Sequence, residues 1–285
     1  MIEPQFGDTD HHLARFAALS FGAAARAGTG LTALGFVSPR GVSGPCQPKA
    51  TFDPFLVAWK DAHSMTLPYR PSAVIFDMDG LLFDTEALWQ EALLSAAAEA
   101  GREIPDEVFN KSIGVRRSQC RGLFLSHFGD DFLFDDFHAS WSRHFWMIAE
   151  NKLTLKPGAS ELLEILDQFR LPRAIATSSS RTTVERHLTS HSLMHRFDQI
   201  VCRGDYENGK PAPDPFLKAA ERLGVEPRLC LALEDSHIGV RSASAAGMMT
   251  VMVPDLLEPT EELRALCVLV ARDLHQVRGL VLACL

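Results

Sequence analysis

Asp77 and Asp79 flank Met78 directly after a short apolar run, Ala73-Val74-Ile75-Phe76, and Gly80 follows with the freedom to turn sharply. In extended backbone, residues i and i+2 point to the same side, so the two carboxylates face one space. Carboxylates held that close repel each other, which favours a shared proton or a bound cation. A hard divalent ion with oxygen ligands, such as Mg2+, suits them. A solvated acidic turn suits them as well, and the pair alone does not separate the two readings. Glu234-Asp235 follows a second apolar run, Leu229-Cys230-Leu231-Ala232-Leu233. Adjacent acids at a buried strand end are costly without a partner, and together with Asp77 they would complete a magnesium site. Thr177-Ser178-Ser179-Ser180 follows Arg173-Ala174-Ile175-Ala176. Hydroxyls and backbone N–H groups at a strand-to-helix turn can cradle a phosphate or simply cap a helix. Lys210, in Gly209-Lys210-Pro211-Ala212-Pro213-Asp214, offers a cation to a phosphate oxygen or to Asp77 from a loop stiffened by two prolines. A lone surface lysine would need no such role.

The elements that must position these groups alternate. Short continuous apolar runs at 73–76, 173–177, 197–202, 229–233 and 249–253 fit strands buried on both faces. Between them, Pro157-Gly158 precedes an apolar face of Leu162, Leu166 and Phe169, and Asp214-Pro215 opens a helix stopped by Gly224. His237 to Ala246 reads as another helix, closed by Gly247. Strand–helix alternation predicts a doubly wound parallel α/β sheet with right-handed crossovers. Ligands of such sheets sit beyond the carboxyl ends of the strands, where all four polar groups fall. Residues 86–155 break the alternation: they are dense in helix formers and aromatics, among them Trp89, Phe124, Trp141 and Trp146. They are expected to form a helical subdomain inserted over the site, with a helical core layer as the simpler alternative.

The bulk numbers narrow the field. A formal charge of −8 over 285 residues argues against a nucleic-acid partner, because phosphate backbones need a positive face. Six scattered cysteines without a C-x-x-C pair suit neither a disulfide framework nor a zinc site, so a reduced cytoplasm is expected. No uninterrupted apolar run reaches the roughly 18 residues of a spanning helix, so no membrane role is expected. Residues 1–64 are rich in Gly, Ala, Ser and Pro without sustained periodicity, and are expected to be a poorly ordered extension ahead of Met65.

Asp77-Met78-Asp79-Gly80-Leu81-Leu82-Phe83-Asp84-Thr85-Glu86, Thr177, Lys210-Pro211-Ala212-Pro213-Asp214 and Glu234-Asp235-Ser236-His237-Ile238-Gly239-Val240 closely resemble, in order and spacing, the four motifs of the haloacid dehalogenase-like (HAD) hydrolase superfamily. The resemblance covers residues 72–255 and is nearest to the branch of β-phosphoglucomutase and phosphoglycolate phosphatase. It implies a Rossmann-like core at 65–85 and 156–285 with a helical cap at 86–155. It further implies a magnesium-dependent phosphatase acting on a small phosphorylated metabolite, as a monomer or weak dimer. Asp77 would be the nucleophile and Asp79 the acid–base. Mg2+ would be held by the carboxylates of Asp77 and Asp235 and the backbone carbonyl of Asp79, with Glu234 acting through water. Thr177, the Ser178 backbone and Lys210 would bind the transferring oxygens. The cap's basic cluster of Lys111, Arg116, Arg117 and Arg121 resembles the branch's substrate loop, so Arg116 and Arg117 are candidates for a distal anionic group, or else a solvated helix face.

Three rivals follow from the same fold. A phosphosugar mutase of this branch needs a cap histidine shortly after the first motif, where this chain has Trp89. A 2-haloacid dehalogenase lacks the second acid, which is present here as Asp79. A non-catalytic relative would not need every catalytic position filled.

Overall fold

The structure is a computed structural model that describes residues 67–112 and 117–285. The expected extension at 1–64, Met65 and Arg116 lie outside the described residues. Strand β1, Ala73–Phe76, is buried at all four positions, so it needs cover on both faces. Alternate residues supply it: Val74 and Phe76 join one hydrophobic cluster, while Ala73 and Ile75 join another on the opposite face.

After β1 the chain forms α1 (Glu86–Glu99), α2 (Asp106–Ser112), α3 (Arg117–Phe128) and α4 (Phe134–Lys152) before returning through α5 (Ala159–Gln168) to β2 (Arg173–Ala176). It continues through α6 (Arg181–Ser190), β3 (Gln199–Val201), α7 (Asp214–Leu223), β4 (Cys230–Glu234), α8 (His237–Ala245) and β5 (Met249–Met252). It ends with α9 (Glu261–Leu266), β6 (Leu269–Val270) and α10 (Leu274–Leu282). The six strands form one sheet in the order β3-β2-β1-β4-β5-β6, and every pairing is parallel. This is the doubly wound α/β fold expected. The chain winds outward from β1 to β3 on one side and from β4 to β6 on the other, so its order reverses between β1 and β4. Such a switch point opens a crevice at the strands' carboxyl ends.

Register then aligns those ends. Phe76 is level with Ile175 of β2 and with Leu233 of β4. The residues that follow each strand therefore emerge side by side. One face of the sheet is covered by Leu162 and Leu166 of α5, Val184 and Leu188 of α6, and Val277 and Val281 of α10. The other is covered by Phe216 of α7 and Ala243 of α8. Helices α1 to α4 bury a core of their own, built largely of aromatics such as Phe124, Phe134, Trp141 and Phe145. The two segments linking this helical block to the sheet pair with each other. Asp84 N–H donates to Thr154 O (3.0 Å), and Lys156 N–H donates to Leu82 O (2.9 Å). Among the described residues no helix is long and apolar enough to cross a membrane.

Candidate active site

Asp77 is the first residue past β1, and its N–H continues the sheet ladder by donating to Leu233 O at 3.0 Å. Its carboxylate is thereby aimed at the crevice, where the ammonium of Lys210 donates to Asp77 Oδ1. The same ammonium donates to Glu234 Oε1 at 2.5 Å, and all three side chains are buried. The second Glu234 oxygen, Oε2, accepts from the backbone of Asp235 (3.1 Å) and from both the backbone and hydroxyl of Ser236 (3.2 and 3.0 Å). Glu234 thus couples Lys210 to the loop that carries Asp235. The Ser236 hydroxyl also accepts from Gly239 N–H (3.1 Å), capping α8.

Two glycines are required by this crowding. A Cβ on Gly80, whose φ is +81°, would lie 2.3 Å from Asp235 Oδ2. A Cβ on Gly239 would lie 1.9 Å from Glu234 Oε1. Real contacts of that kind do not occur, so any larger residue must displace a carboxylate.

The electrostatics describe a site short of positive charge. Burial, aided by the carboxylates of Glu234 and Asp79, pushes Asp77 up to about 8 in spite of Lys210. Burial and the carboxylates of Glu234, Asp77 and Glu86 likewise drive Asp235 well above the usual carboxylate range. Burial works against the Lys210 ammonium, but Asp77 and Glu234 outweigh it and raise its affinity for the proton. Carboxyl oxygens of Asp77, Glu234 and Asp235 all lie within 4.8 Å of one another. One ammonium for three crowded carboxylates leaves room for a divalent cation, which would offset the burial and mutual repulsion that raise the proton affinity of Asp77 and Asp235.

Asp79 occupies the turn beyond Met78. Its Oδ2 accepts from the Ser179 hydroxyl at 2.6 Å, and its Oδ1 lies 3.8 Å from Nδ1 of His187. Thr177, buried at the end of β2, donates its N–H to Val201 O (3.0 Å) and accepts Ser179 N–H on its hydroxyl (3.1 Å). Ser178 beside it is exposed. Glu86, half-buried at the start of α1, is pushed up to about 7 by burial and by Asp79 and Asp255.

The structure therefore brings Asp77, Lys210, Glu234 and Asp235 into direct contact and places Asp79 and Thr177 on the same rim, linked by Ser179. In the basic cluster, Arg117 pairs with Asp135 (2.8 Å), Lys111 pairs with Glu107 (2.5 Å), and Arg121 is exposed. The sequence offers Ser179 only as one hydroxyl of the 177–180 cluster, not as a partner of Asp79, and does not single out His187. Ser179 carries the same period-two signal relative to Thr177 that singled out Asp79 relative to Asp77. His187 interrupts a buried face of Val184 and Leu188 on α6, and a polar residue on an apolar helical stripe is the available clue.

Residues 74–253 match the sequence profile of the haloacid dehalogenase-like hydrolase family. A probable pseudouridine-5'-phosphatase of Drosophila melanogaster is 38% identical over 187 residues, covering 64% of this chain and 80% of that one. A solved structure of a putative β-phosphoglucomutase from Thermotoga maritima superposes with a TM-score of 0.63 at 28% identity, covering 74% of this chain and 97% of its own. CbbY from Rhodobacter sphaeroides in complex with phosphate superposes equally well, with a TM-score of 0.63 at 26% identity, covering 74% of this chain and 99% of its own.

Proposed function

The chain belongs to the haloacid dehalogenase-like hydrolase family, and on that premise we propose that it is a magnesium-dependent phosphatase hydrolysing a small phosphomonoester through an aspartyl-phosphate intermediate. The observation that carries the reading is the buried bridge of Lys210 between Asp77 and Glu234, with a second acid, Asp79, held on the adjoining turn by Ser179. A carboxylate nucleophile divides one difficult displacement into two easier ones. An oxygen of Asp77 forms a bond to the substrate phosphorus as the bond to the ester oxygen breaks. Asp79 gives its proton to that departing oxygen, which leaves as an alcohol. Water then attacks the phosphorus, its proton passes to Asp79, and the bond from phosphorus to Asp77 breaks to release phosphate. One carboxyl serves as acid and then as base.

Asp77 and Asp235 would hold Mg2+ through their carboxylates and Asp79 through its backbone carbonyl, with Glu234 in support. The ion supplies positive charge that lets an anionic nucleophile approach an anionic phosphate. Lys210 adds to that charge from the chain itself, and the Thr177 hydroxyl and the Ser178 backbone would bind the transferring oxygens. The helical block would act as the cap that sequesters the substrate, with Arg116 and Arg117 offered to a distal anionic group. The cytoplasm is the setting we propose, from the scattered cysteines of the sequence.

The resemblance to a putative β-phosphoglucomutase keeps a mutase as the second reading. Trp89, which stands where that chemistry needs a histidine, stacks on Phe145 with ring centroids 3.9 Å apart and is half-buried against the core of the helical block. The deciding experiment is a panel of phosphomonoesters incubated with and without Mg2+. Free phosphate released only with the metal supports the phosphatase. Isomerised sugar phosphate from β-glucose 1-phosphate and a bisphosphate primer, with no phosphate released, would replace it by the mutase.

A further inference from the structure

His187 is buried to 1% exposure on α6, and neither of its ring nitrogens has a hydrogen-bond partner among the described residues. Leaving such an atom buried and unpaired is costly, because it has given up its water without a replacement partner. The imidazole is enclosed by aromatic rings from two sides of the molecule. Phe83, on the turn that follows Asp79, lies 5.4 Å away, and Trp146 and Phe145 of α4 lie 5.3 and 6.1 Å away between ring centroids. A leucine or phenylalanine would fill this cage without an orphaned nitrogen. The polar ring nonetheless sits where its Nδ1 is 3.8 Å from Asp79 Oδ1, just beyond hydrogen-bond reach. The other Asp79 oxygen is already held by Ser179 at 2.6 Å.

We propose that His187 is a positioning residue for Asp79: a small approach of the helical block or of the Asp79 turn brings its Nδ1–H onto Oδ1. Ser179 and His187 then grip both oxygens of the carboxyl and fix its plane toward the departing ester oxygen. The cage joins this grip to the helical block, because Phe145 and Trp146 form two of its walls. Asp79 is thereby locked when the block is seated on the substrate. The idea rests on the reading of Asp79 as the acid–base.

Its test separates substrates by their need for a proton. An alkyl phosphomonoester such as glycerol phosphate releases a poor leaving group that requires one, whereas p-nitrophenyl phosphate releases a phenolate that does not. Comparing kcat/KM isolates the steps up to release of the alcohol. With Mg2+ present, His187→Leu is expected to lose at least about tenfold on glycerol phosphate, within the range of general-acid contributions, and less than about twofold on p-nitrophenyl phosphate. His187→Asn, which keeps an N–H near the Nδ1 position, is expected to recover much of the difference. His187→Gln, whose N–H lies near the other nitrogen, is not. The contrast between Asn and Gln carries the same test if the leucine variant does not fold. An equal loss on both substrates, or no loss on either, would overturn the positioning role. A separate control protects the underlying reading: if Asp79→Asn retains wild-type turnover of glycerol phosphate, it is the acid–base assignment that falls.

Discussion

The rim of the sheet and the helical block bury charge in opposite ways. At the rim, Asp77, Lys210, Glu234 and Asp235 are packed into one buried network where each group fixes another, down to glycines whose Cβ would strike a carboxylate. In the helical block the interior is aromatic, and the charges lie outside in exposed pairs such as Arg117–Asp135 and Lys111–Glu107. The rim has no freedom to vary without losing its chemistry. The block has a core that only needs to be filled and a surface of exposed, weakly held charges. On the proposed reading this division would give reaction type to the rim and substrate choice to the block, and it is open to attack at either end.

The largest effect is expected at Asp77. Asp77→Asn keeps the shape and its place beside Lys210 but removes the proposed nucleophile. Turnover should fall by at least about a thousandfold, the scale on which loss of a covalent catalyst registers. Circular dichroism should show the fold unchanged. Activity within tenfold of wild type would mean that the buried network is structural only.

The metal comes next, and here pH gives the sign. Burial and neighbouring carboxylates raise Asp77 to about 8 in the folded protein and raise Asp235 as well. An unfolded aspartate titrates near its ordinary value of about 4. Between about pH 4 and 8 the folded protein therefore holds protons that the unfolded chain has released, so stability of the metal-free protein falls as pH rises through this window. Mg2+ held by the same carboxylates would compete with those protons. Thermal melts should show a larger gain from Mg2+ at pH 8 than at pH 6. A gain independent of pH would mean that the ion binds elsewhere.

These predictions depend on residues legible in sequence, and the reason is geometric. Asp77, Thr177 and Glu234-Asp235 each stand at or just past the end of an apolar run, and parallel register makes such ends neighbours whatever the loops between them do. Lys210 was singled out only by the resemblance of residues 210–214 to a family motif, because its loop taken alone left a solvated surface lysine open. Other features depend on contacts that no local pattern encodes. Ser179 and His187 meet Asp79 from about a hundred residues away along the chain. Strand β6, Leu269–Val270, is two residues long and too short to carry a period. The bridging role of Glu234 was missed because an acid pair reads as a ligand set until the lysine between two acids is seen.

Glycines bring the two regions into direct comparison. Gly239→Ala places a methyl 1.9 Å from Glu234 Oε1, and Glu234 is pinned by Lys210 and Ser236. Overpacking of this kind costs about 1–3 kcal/mol, and the displaced Lys210 should lower turnover with it. In the block, a methyl added at Gly122 of α3 would meet nothing within 4 Å. Gly122→Ala should therefore stabilise by up to about 1 kcal/mol through helix propensity alone. Denaturant melts of the two variants decide the matter. A stabilised Gly239→Ala beside a destabilised Gly122→Ala would erase the contrast between a constrained rim and a permissive block.

The smallest effect is expected at Arg117, whose side chain and that of Asp135 are 59% and 68% exposed. Solvent and side-chain entropy offset most of what such a pair gains, so Arg117→Ala should change stability by no more than about 0.5 kcal/mol. The same weakness leaves the guanidinium available, because little is lost when it exchanges one carboxylate for another anion. Where a substrate carries a second anionic group, its KM should rise several-fold in the variant, while the KM of a substrate with a neutral leaving group stays as it was. A KM that moves for neither would take Arg117 out of substrate recognition and leave it to the solvated face of the helix.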